Sequence, residues 1–260
     1  MTPNDFFWLN HVKSWFETTI GVPRRRKMSW RSVDFSQYGE QAIVLEYVRR
    51  NPNGYTRFCV DVGAYDGAVG SNSRALFEMG WGGLAIEPNP RTFARLRALY
   101  VGRSDITCVQ IAVSDHEAEG VEMQFAVGPE GVAEEDKWKY AQVSTLNDSF
   151  AESYRRDLGY RYERSTVDLT TLTGLLITHR VPTDLGFLSI DCEGEDIKIV
   201  RELDLSTFRP RLICVESDDQ NRQFYADALI PKRYRYHAHT AANTFFESID
   251  PITRSPGRSV

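Results

Sequence analysis

Several protein classes are excluded by what this sequence lacks. Its 260 residues carry 31 Lys and Arg against 36 Asp and Glu, so the strong positive field of a general nucleic-acid binder is missing. The chain has no run of about 18 apolar residues, which argues against a transmembrane segment. Charged residues also interrupt the apolar positions near the N-terminus, and we therefore expect no signal peptide there.

Cysteine is scarce, with four residues in the chain. Cys59, Cys108, Cys192 and Cys214 lie far apart, with neither a CxxC pair nor the Cys and His spacing of a zinc site. Each lies within or beside a short apolar run, so we expect free thiols packed in or next to strands. Such cysteines are typical of a reducing compartment, and the sequence predicts a cytoplasmic protein.

The length and the pattern divide the chain into two parts. We predict an N-terminal helical extension over residues 1–35 and a single domain over residues 36–260, which is long enough to bury a sizeable core. The extension combines apolar residues at helical spacing with a basic cluster. This fits either peripheral contact with an anionic membrane, or packing on the domain or on a second subunit of a homodimer.

From residue 36 onward, predicted strands and helices alternate. Strands are predicted over residues 57–62, 83–87, 106–113, 185–191 and 211–216, with a closing hairpin at 234–239 and 243–249. The alternation predicts an α/β fold with a mostly parallel sheet and helices on both faces. Residues 120–164 interrupt it as a polar, irregular insertion with one candidate strand, and we expect this segment to contact the acceptor or form a lid.

Acidic residues lie at or just after the carboxyl ends of the predicted strands. They are Asp61, Glu87, Asp115, Asp191 and Glu216. Any one of them could simply cap the following helix, where the helix dipole favours an acid. Because parallel strands bring these ends to one edge of the sheet, the set together predicts an acidic ligand crevice.

The turn after the first predicted strand has the sequence DVGAYDG, residues 61–67. It matches neither the GxGxxG fingerprint nor a P-loop, so a bound pyrophosphate is not expected. Gly63 would let the backbone approach a ligand closely, and Asp61 is placed for an ammonium group. Glu87 has the position of an acid that accepts hydrogen bonds from a ribose diol. A nucleoside with a small charged tail, such as S-adenosylmethionine, fits these residues.

Further residues around this turn complete the predicted cofactor site. Ser114 and Asp115 are expected near the adenine amine, and Gln37 and Tyr38 near the methionine carboxylate. The full set is Gln37, Tyr38, Asp61, Gly63, Tyr65, Ser71, Asn72, Glu87, Pro88, Ser114, Asp115 and Asp191.

A series of segments, taken in order, resembles the FkbM-type family of S-adenosylmethionine-dependent methyltransferases. The segments are SQYGE, FCVDVGAYDGAVGSNS, GGLAIEPNP, IAVSD, LSIDCEGEDIKIV and RPRLICVES. The resemblance implies a class I methyltransferase (Rossmann-like) fold, with a central seven-stranded, mostly parallel sheet whose last strand is antiparallel. It also implies O-methyl transfer to a sugar hydroxyl of a glycolipid, polysaccharide or natural product. It does not extend to the insertion or to the N-terminal extension.

Methyl transfer is an in-line displacement, so the acceptor oxygen must be aligned with the methyl carbon, and a sugar hydroxyl benefits from a general base. The loop after the strand at 185–191 would face that position, which makes Asp191 and Glu193 candidate bases or orienting groups. His237 in the hairpin is a third candidate, because an imidazole titrates near neutral pH.

The acceptor itself is expected to be a small molecule or a glycan. Glu216 and Ser217 end the neighbouring strand and are predicted to bind its hydroxyl groups. Tyr140 and Tyr160 in the insertion offer aromatic faces for stacking on a sugar ring.

Other interpretations stay open at this point. The acids Asp191, Glu193 and Glu216 could hold Mg²⁺, which prefers carboxylate oxygens, but their spacing is not that of a dedicated site and no metal is expected. A nucleotide-dependent oxidoreductase would also carry an acid after its second strand, although it should show GxGxxG. A non-catalytic nucleoside-binding protein would retain the cofactor residues alone.

Overall fold

A computed structural model describes residues 33–250 of the chain. From Asp34 onward, the described chain belongs to one compact unit. The predictions for the N-terminal extension fall almost entirely outside the described residues.

The described residues form ten strands and seven α-helices. The strands are β1 (Thr56–Val62), β2 (Gly82–Ile86), β3 (Ile106–Val109), β4 (Ala112–Ser114), β5 (Ala118–Gly128), β6 (Arg161–Thr171), β7 (Leu185–Ile190), β8 (Leu212–Glu216), β9 (Tyr234–His239) and β10 (Asn243–Ser248). The α-helices are α1 (Glu40–Arg50), α2 (Arg74–Glu78), α3 (Pro90–Leu99), α4 (Asp148–Leu158), α5 (Leu172–Thr178), α6 (Asp196–Glu202) and α7 (Arg222–Leu229). Two 3-10 helices cover Glu134–Val143 and Ile230–Lys232.

The main sheet has seven strands in the order β3-β2-β1-β7-β8-β10-β9. Strands β3, β2, β1, β7 and β8 are parallel, whereas β10 runs antiparallel to both of its neighbours, β8 and β9. The predicted α/β fold, with a mostly parallel seven-stranded sheet and an antiparallel last strand, is confirmed. The closing hairpin is confirmed as well.

Helices cover both faces of this sheet, as predicted. Leu188 and Ile190 of β7 pack in one core cluster with residues of α5, α6 and α7, whereas Phe187 of the same strand packs in the other with residues of α1, α2 and α3. All six residues of β7 are buried, which is typical of a central parallel strand.

The candidate strand of the insertion is confirmed as β5, but the prediction that the rest of 120–164 is irregular is wrong. Strands β5 and β6, each of 11 residues, pair in antiparallel fashion, and β4 pairs with β6 in a second, three-stranded sheet. Only Leu169 of β6 is buried, because most of the strand faces solvent. Without a buried face, β6 has no apolar alternation by which sequence could reveal it.

The predicted strand at 106–113 is also wrong as a single element. It breaks after Val109, and the chain resumes at Ala112 in the small sheet, where β4 pairs in parallel with β6. The residues that follow β4 therefore do not lie at the edge of the main sheet where its parallel strands end.

The cysteines are free thiols, with Cys59 and Cys214 buried in β1 and β8, and with Cys108 and Cys192 partly exposed. Their predicted positions in or beside strands are confirmed. Among the helices of residues 33–250, none has the length and hydropathy that crossing a membrane requires.

Candidate active site

Four of the predicted acids lie along one edge of the main sheet. Asp61 is the second-last residue of β1, Glu216 is the last of β8, and Glu87 and Asp191 directly follow β2 and β7. Since the strand order is β2-β1-β7-β8, the acids succeed one another across the edge as Glu87, Asp61, Asp191 and Glu216. Topology thus gathers side chains that are far apart in sequence.

Glu87 is held rigidly by three donors. Its Oε2 accepts the Tyr65 backbone N–H at 2.9 Å, and its Oε1 accepts the Asn89 N–H at 2.9 Å and the Thr92 hydroxyl at 2.8 Å. Burial raises the pKa of Glu87 to about 7. A carboxylate has about four acceptor sites, so capacity remains for a ligand hydroxyl.

Asp61 lies in a buried polar group with two residues from the start of α2. The Ser73 hydroxyl donates to Asp61 Oδ2, and burial raises the pKa of Asp61 to about 6. The Asn72 amide donates to Ser189 Oγ at 3.4 Å, whereas Asn72 Oδ1 is buried without a hydrogen-bond partner. An unpartnered buried acceptor is costly, and the ammonium group of a methionine moiety would satisfy it. The residues present therefore fit S-adenosylmethionine.

Gly63 and Tyr65 shape the turn between these two acids. Gly63 has a φ of +79°, and a side chain there would collide with the backbone of Asp191. The Tyr65 hydroxyl donates to the Trp138 carbonyl at 2.6 Å, and the Arg95 guanidinium carbon lies 3.5 Å from the centroid of the Trp138 ring. The 3-10 helix at Glu134–Val143 is thereby fixed to the turn.

Ser114 and Asp115 do not join the row of acids. Ser114 is buried and donates to Glu195 Oε2 at 2.5 Å, and the half-exposed Asp115 pairs with His116 at 2.7 Å. The expected contact with an adenine amine assumed that both residues end a strand of the main sheet, but β4 belongs to the small sheet.

The remaining predicted cofactor residues are placed as follows. Ser71 Oγ accepts the Arg74 N–H at 3.1 Å at the start of α2. Pro88 follows Glu87 and is partly exposed, and Gln37 is exposed before α1. Burial, followed by the charges of Glu40 and Glu216, raises the pKa of Tyr38.

Glu40 is a buried acid that sequence reasoning did not single out as functional. It is fully buried; its Oε2 accepts the Tyr38 N–H at 2.7 Å, and its Oε1 accepts the Thr240 hydroxyl at 2.5 Å and the Asn243 amide at 3.2 Å. It ties the segment before α1 to the β9–β10 hairpin. Its place in the first turn of a helix suggested nothing beyond a favourable dipole interaction.

Three carboxylates form an acidic cluster where β7 and β8 end. Asp191, Glu193 and Glu216 each offer a carboxylate oxygen, and these oxygens lie within 4.8 Å of one another. Burial, followed by the charges of Asp196 and Asp61, raises the pKa of Asp191 to about 8. Burial and mutual repulsion raise the pKa values of Glu193 and Glu216 well above the usual range.

An aromatic cluster from the insertion lies beside the acidic cluster. The rings of Tyr140 and Tyr154 each meet that of Tyr160 edge-on, with centroids 5.7 Å apart. Burial and the charge of Glu193 raise the pKa of Tyr154, and burial, Tyr140 and Glu193 raise that of Tyr160 to about 12. Tyr154, on α4, thus joins the two predicted acceptor residues at the site.

Two further acceptor-side predictions do not fit the geometry. His237 Nδ1 lies 3.3 Å from Glu247, which pairs with Leu212 at the amino end of β8, whereas Asn243 pairs with Glu216 at the carboxyl end. Strand register places His237 in the middle of β9, beside the bulge at Phe245 and Phe246, and therefore away from the strand ends that carry the acidic cluster. The buried Ser217 donates to Thr244 Oγ1 at 2.5 Å and is engaged in holding the hairpin.

The family model described as "Methyltransferase FkbM domain" matches residues 61–248 of this chain. The match runs from Asp61, the first of the strand-end acids, to the end of β10. The chain belongs to the FkbM methyltransferase domain family. The predicted family is confirmed. Membership of this family supports S-adenosylmethionine-dependent methylation as the activity of the chain, and it argues against the alternative of a nucleotide-dependent oxidoreductase.

Solved structures similar to this FkbM methyltransferase are distant. A precorrin-6y C5,15-methyltransferase from Geobacter metallireducens is 13% identical, with a TM-score of 0.42, and the match covers 88% of this chain and 96% of that one. A fibrillarin from Aeropyrum pernix with bound S-adenosyl-L-methionine is 11% identical, with a TM-score of 0.34, over 75% of this chain and 66% of that one. No relative was found among curated proteins.

Proposed function

We propose that this FkbM methyltransferase transfers the methyl group of S-adenosylmethionine to a hydroxyl of a sugar in a glycolipid, polysaccharide or natural product. The observation that carries the proposal is the aromatic cluster, Tyr140, Tyr154 and Tyr160, beside the acidic cluster. Aromatic faces stack on sugar rings, and carboxylates accept hydrogen bonds from several sugar hydroxyls at once.

The donor side is assigned to the residues around β1 and β2. Glu87 would accept hydrogen bonds from the ribose diol, Asp61 and Asn72 would bind the ammonium group, and Tyr38 would face the methionine carboxylate. Bound there, S-adenosylmethionine supplies a methyl group on a sulfonium centre. The buried surroundings of Asp61 and Glu87 keep water from competing for these contacts.

The acceptor side is assigned to the acidic cluster. An oxygen of Asp191 or Glu193 would accept the proton of the reacting hydroxyl, and Glu216 would orient a neighbouring hydroxyl. The Tyr160 ring would fix the plane of the sugar, since alignment of the oxygen accounts for much of the rate. The free thiols favour a reducing compartment, so we also propose a cytoplasmic location.

Calorimetry and mass spectrometry test the proposal in two steps. Titration of the full chain with S-adenosylhomocysteine should give saturable heat, and NAD⁺ should give none. Incubation with S-adenosylmethionine and a panel of glycans should then give a product heavier by one methylene group. Absence of heat with S-adenosylhomocysteine would refute the methyl-donor site. Binding without a product from any sugar acceptor would refute the acceptor class.

Asp191→Asn separates binding from turnover. Because Asp191 is assigned to the acceptor side, this change should reduce kcat more than it reduces the affinity for S-adenosylhomocysteine. Asp115→Asn is the matched control, since Asp115 is half-exposed and pairs with His116 away from the cluster. Equal losses of turnover and of affinity in Asp191→Asn would place Asp191 in donor binding instead.

A further inference from the structure

Glu40 is a fully buried carboxylate, and each of its two oxygens meets a donor. Oε2 accepts the backbone N–H of Tyr38 at 2.7 Å, and Oε1 accepts the Thr240 hydroxyl at 2.5 Å and the Asn243 side-chain amide at 3.2 Å. A carboxylate surrounded by donors acts only as an acceptor, so the amide nitrogen of Asn243 has to face it. Glu40 thereby fixes which way round the Asn243 amide lies.

Hydrogen bonds continue from Asn243 into the main sheet. With its nitrogen toward Glu40, the Asn243 amide turns Oδ1 to the Cys214 thiol, which donates to it at 3.5 Å. Burial, followed by the charge of Glu40, raises the pKa of the Cys214 thiol, so the thiol keeps the proton that it donates. The sulfur accepts the Asn72 amide N–H at 3.7 Å, and the same nitrogen also donates to Ser189 at 3.4 Å.

The direction of this chain of hydrogen bonds decides which end of the Asn72 amide is free. The nitrogen is used by Cys214 and Ser189, whereas Oδ1 is buried without a partner, in a side chain that is 6% exposed. An amide oxygen attracts an ammonium group, and an amide NH₂ group in the same place would repel it. The chain therefore has to run in the observed direction for Asn72 to bind the methionine ammonium.

We infer that Glu40 is a positioning residue for the methionine moiety of S-adenosylmethionine. One of its oxygens holds the backbone of Tyr38, which is assigned to the methionine carboxylate. The other sets the direction of the chain that ends at Asn72, which is assigned to the ammonium group. The inference rests on the proposed donor site, and it gives a role to Glu40, the last residue of the SQYGE segment.

Glu40→Gln keeps the shape of the side chain but introduces a donor. If the new amide oxygen stays with the Tyr38 N–H, the new NH₂ group faces Asn243. The Asn243 amide must then flip, its nitrogen meets the Cys214 sulfur, and the thiol turns to the Asn72 oxygen. The chain is thus reversed and presents a donor to the methionine ammonium. In the opposite orientation, the new NH₂ group meets the Tyr38 N–H and releases that backbone.

Calorimetry with two ligands tests the inference on the full chain. S-adenosylhomocysteine carries the amino-acid moiety, whereas methylthioadenosine carries the same nucleoside without it. Glu40→Gln should raise the Kd of S-adenosylhomocysteine by about tenfold or more, because hydrogen bonds to charged groups are lost, and should leave that of methylthioadenosine within about twofold of wild type. Glu46→Gln, at an exposed side chain of α1, is the matched control and should bind both ligands as wild type does.

Two substitutions of Cys214 test the middle of the chain. A serine hydroxyl can donate to Asn243 and accept from Asn72, so Cys214→Ser should retain the affinity for S-adenosylhomocysteine. Alanine does neither, so Cys214→Ala should raise the Kd of S-adenosylhomocysteine by about threefold or more. The S–H stretching band of Cys214, identified in infrared spectra by its loss in Cys214→Ser, should shift in Glu40→Gln, because the thiol changes its acceptor.

The outcomes separate this inference from the proposed function. Equal losses of affinity for both ligands in Glu40→Gln, unchanged affinity for S-adenosylhomocysteine, or an unshifted S–H band would each overturn the positioning role, while binding by wild-type protein would still support the donor site. Wild-type protein that binds neither ligand would refute both. If Glu40→Gln does not unfold cooperatively, equal affinities of Cys214→Ala and Cys214→Ser for S-adenosylhomocysteine would overturn the inference.

Discussion

The backbone at Gly63 lies directly against the carbonyl oxygen of Asp191. A Cβ added to Gly63 would lie 1.7 Å from that oxygen, and Asp191 in turn donates its N–H to the Val62 carbonyl at 3.0 Å. The ends of β1 and β7 are therefore in backbone contact just where donor and acceptor sides meet. This contact fixes the position of Asp191, the acid placed between the two sides.

Gly63→Ala should disrupt this contact. A methyl group must displace the Asp191 backbone, and a φ of +79° adds strain for any L side chain, so we expect a loss of about 3 kcal/mol or more in unfolding free energy. Urea unfolding measures this loss of unfolding free energy. Gly70→Ala is the matched control, because φ is +66° there and nothing lies within 4 Å, so it should cost only about 1 kcal/mol. Equal costs at both positions would contradict the contact.

Glu87→Gln should weaken binding of S-adenosylhomocysteine. The amide keeps an oxygen for the Asn89 N–H and the Thr92 hydroxyl, but its NH₂ group replaces the oxygen that accepts the Tyr65 N–H, and the change removes the charge that would strengthen hydrogen bonds to the ribose. Hydrogen bonds to charged groups contribute about 1.5–3 kcal/mol, so the Kd should rise by about tenfold or more in calorimetry. Thr92→Val removes only one supporting donor and should change the Kd far less. An unchanged Kd for Glu87→Gln would remove Glu87 from the donor site.

The stability of the ligand-free protein should decrease as the pH rises. Burial raises the pKa of Glu87 from 4.5 to about 7 and that of Asp61 from 3.8 to about 6. The native state therefore holds protons that the unfolded chain has lost, and unfolding free energy declines between about pH 4 and pH 7. For Glu87 the shift corresponds to a decline on the order of 3 kcal/mol.

Urea unfolding at several pH values measures this decline, and Glu87→Gln isolates the share of one carboxyl group. The variant should show a shallower dependence between pH 4.5 and pH 7, because it has no proton to lose at that position. Asp105→Asn, at an exposed carboxylate paired with Arg103, serves as the control and should leave this dependence unchanged. Identical slopes for Glu87→Gln and wild type would refute the raised pKa.

The central sheet could be predicted from sequence because burial on both faces leaves continuous apolar runs. All residues of β7 are buried, and the strand order then places Asp61, Glu87, Asp191 and Glu216 at one edge. Strand-end position alone was enough to find these acids. The third strand was misjudged because its apolar run continues through the break between β3 and β4, and only pairing partners reveal that the chain changes sheets.

The acceptor side depends on contacts that sequence does not report. Glu193 adopts a φ of +51°, and the Thr145 hydroxyl donates to its carbonyl oxygen at 2.7 Å, which links the insertion to the loop after β7. Tyr154 belongs to α4 and lies close to Glu193, and no local sequence pattern indicates that it does so. His237 was a third candidate base because of the usual pKa of an imidazole, yet strand register puts it in the middle of β9, away from the end of β8 that carries Glu216.

Tyr160→Ala should impair the acceptor without affecting the donor. Tyr160 lies between Tyr140 and Tyr154, so its loss removes the centre of the proposed stacking surface. An aromatic contact contributes about 0.5–1.5 kcal/mol, which predicts a KM for the sugar acceptor higher by about threefold to tenfold, with the Kd for S-adenosylhomocysteine unchanged. Tyr160→Phe keeps the ring and should retain the wild-type KM. Steady-state kinetics with a methylated glycan as product decides the matter, since an equal rise in both variants would assign the effect to the hydroxyl and not to stacking.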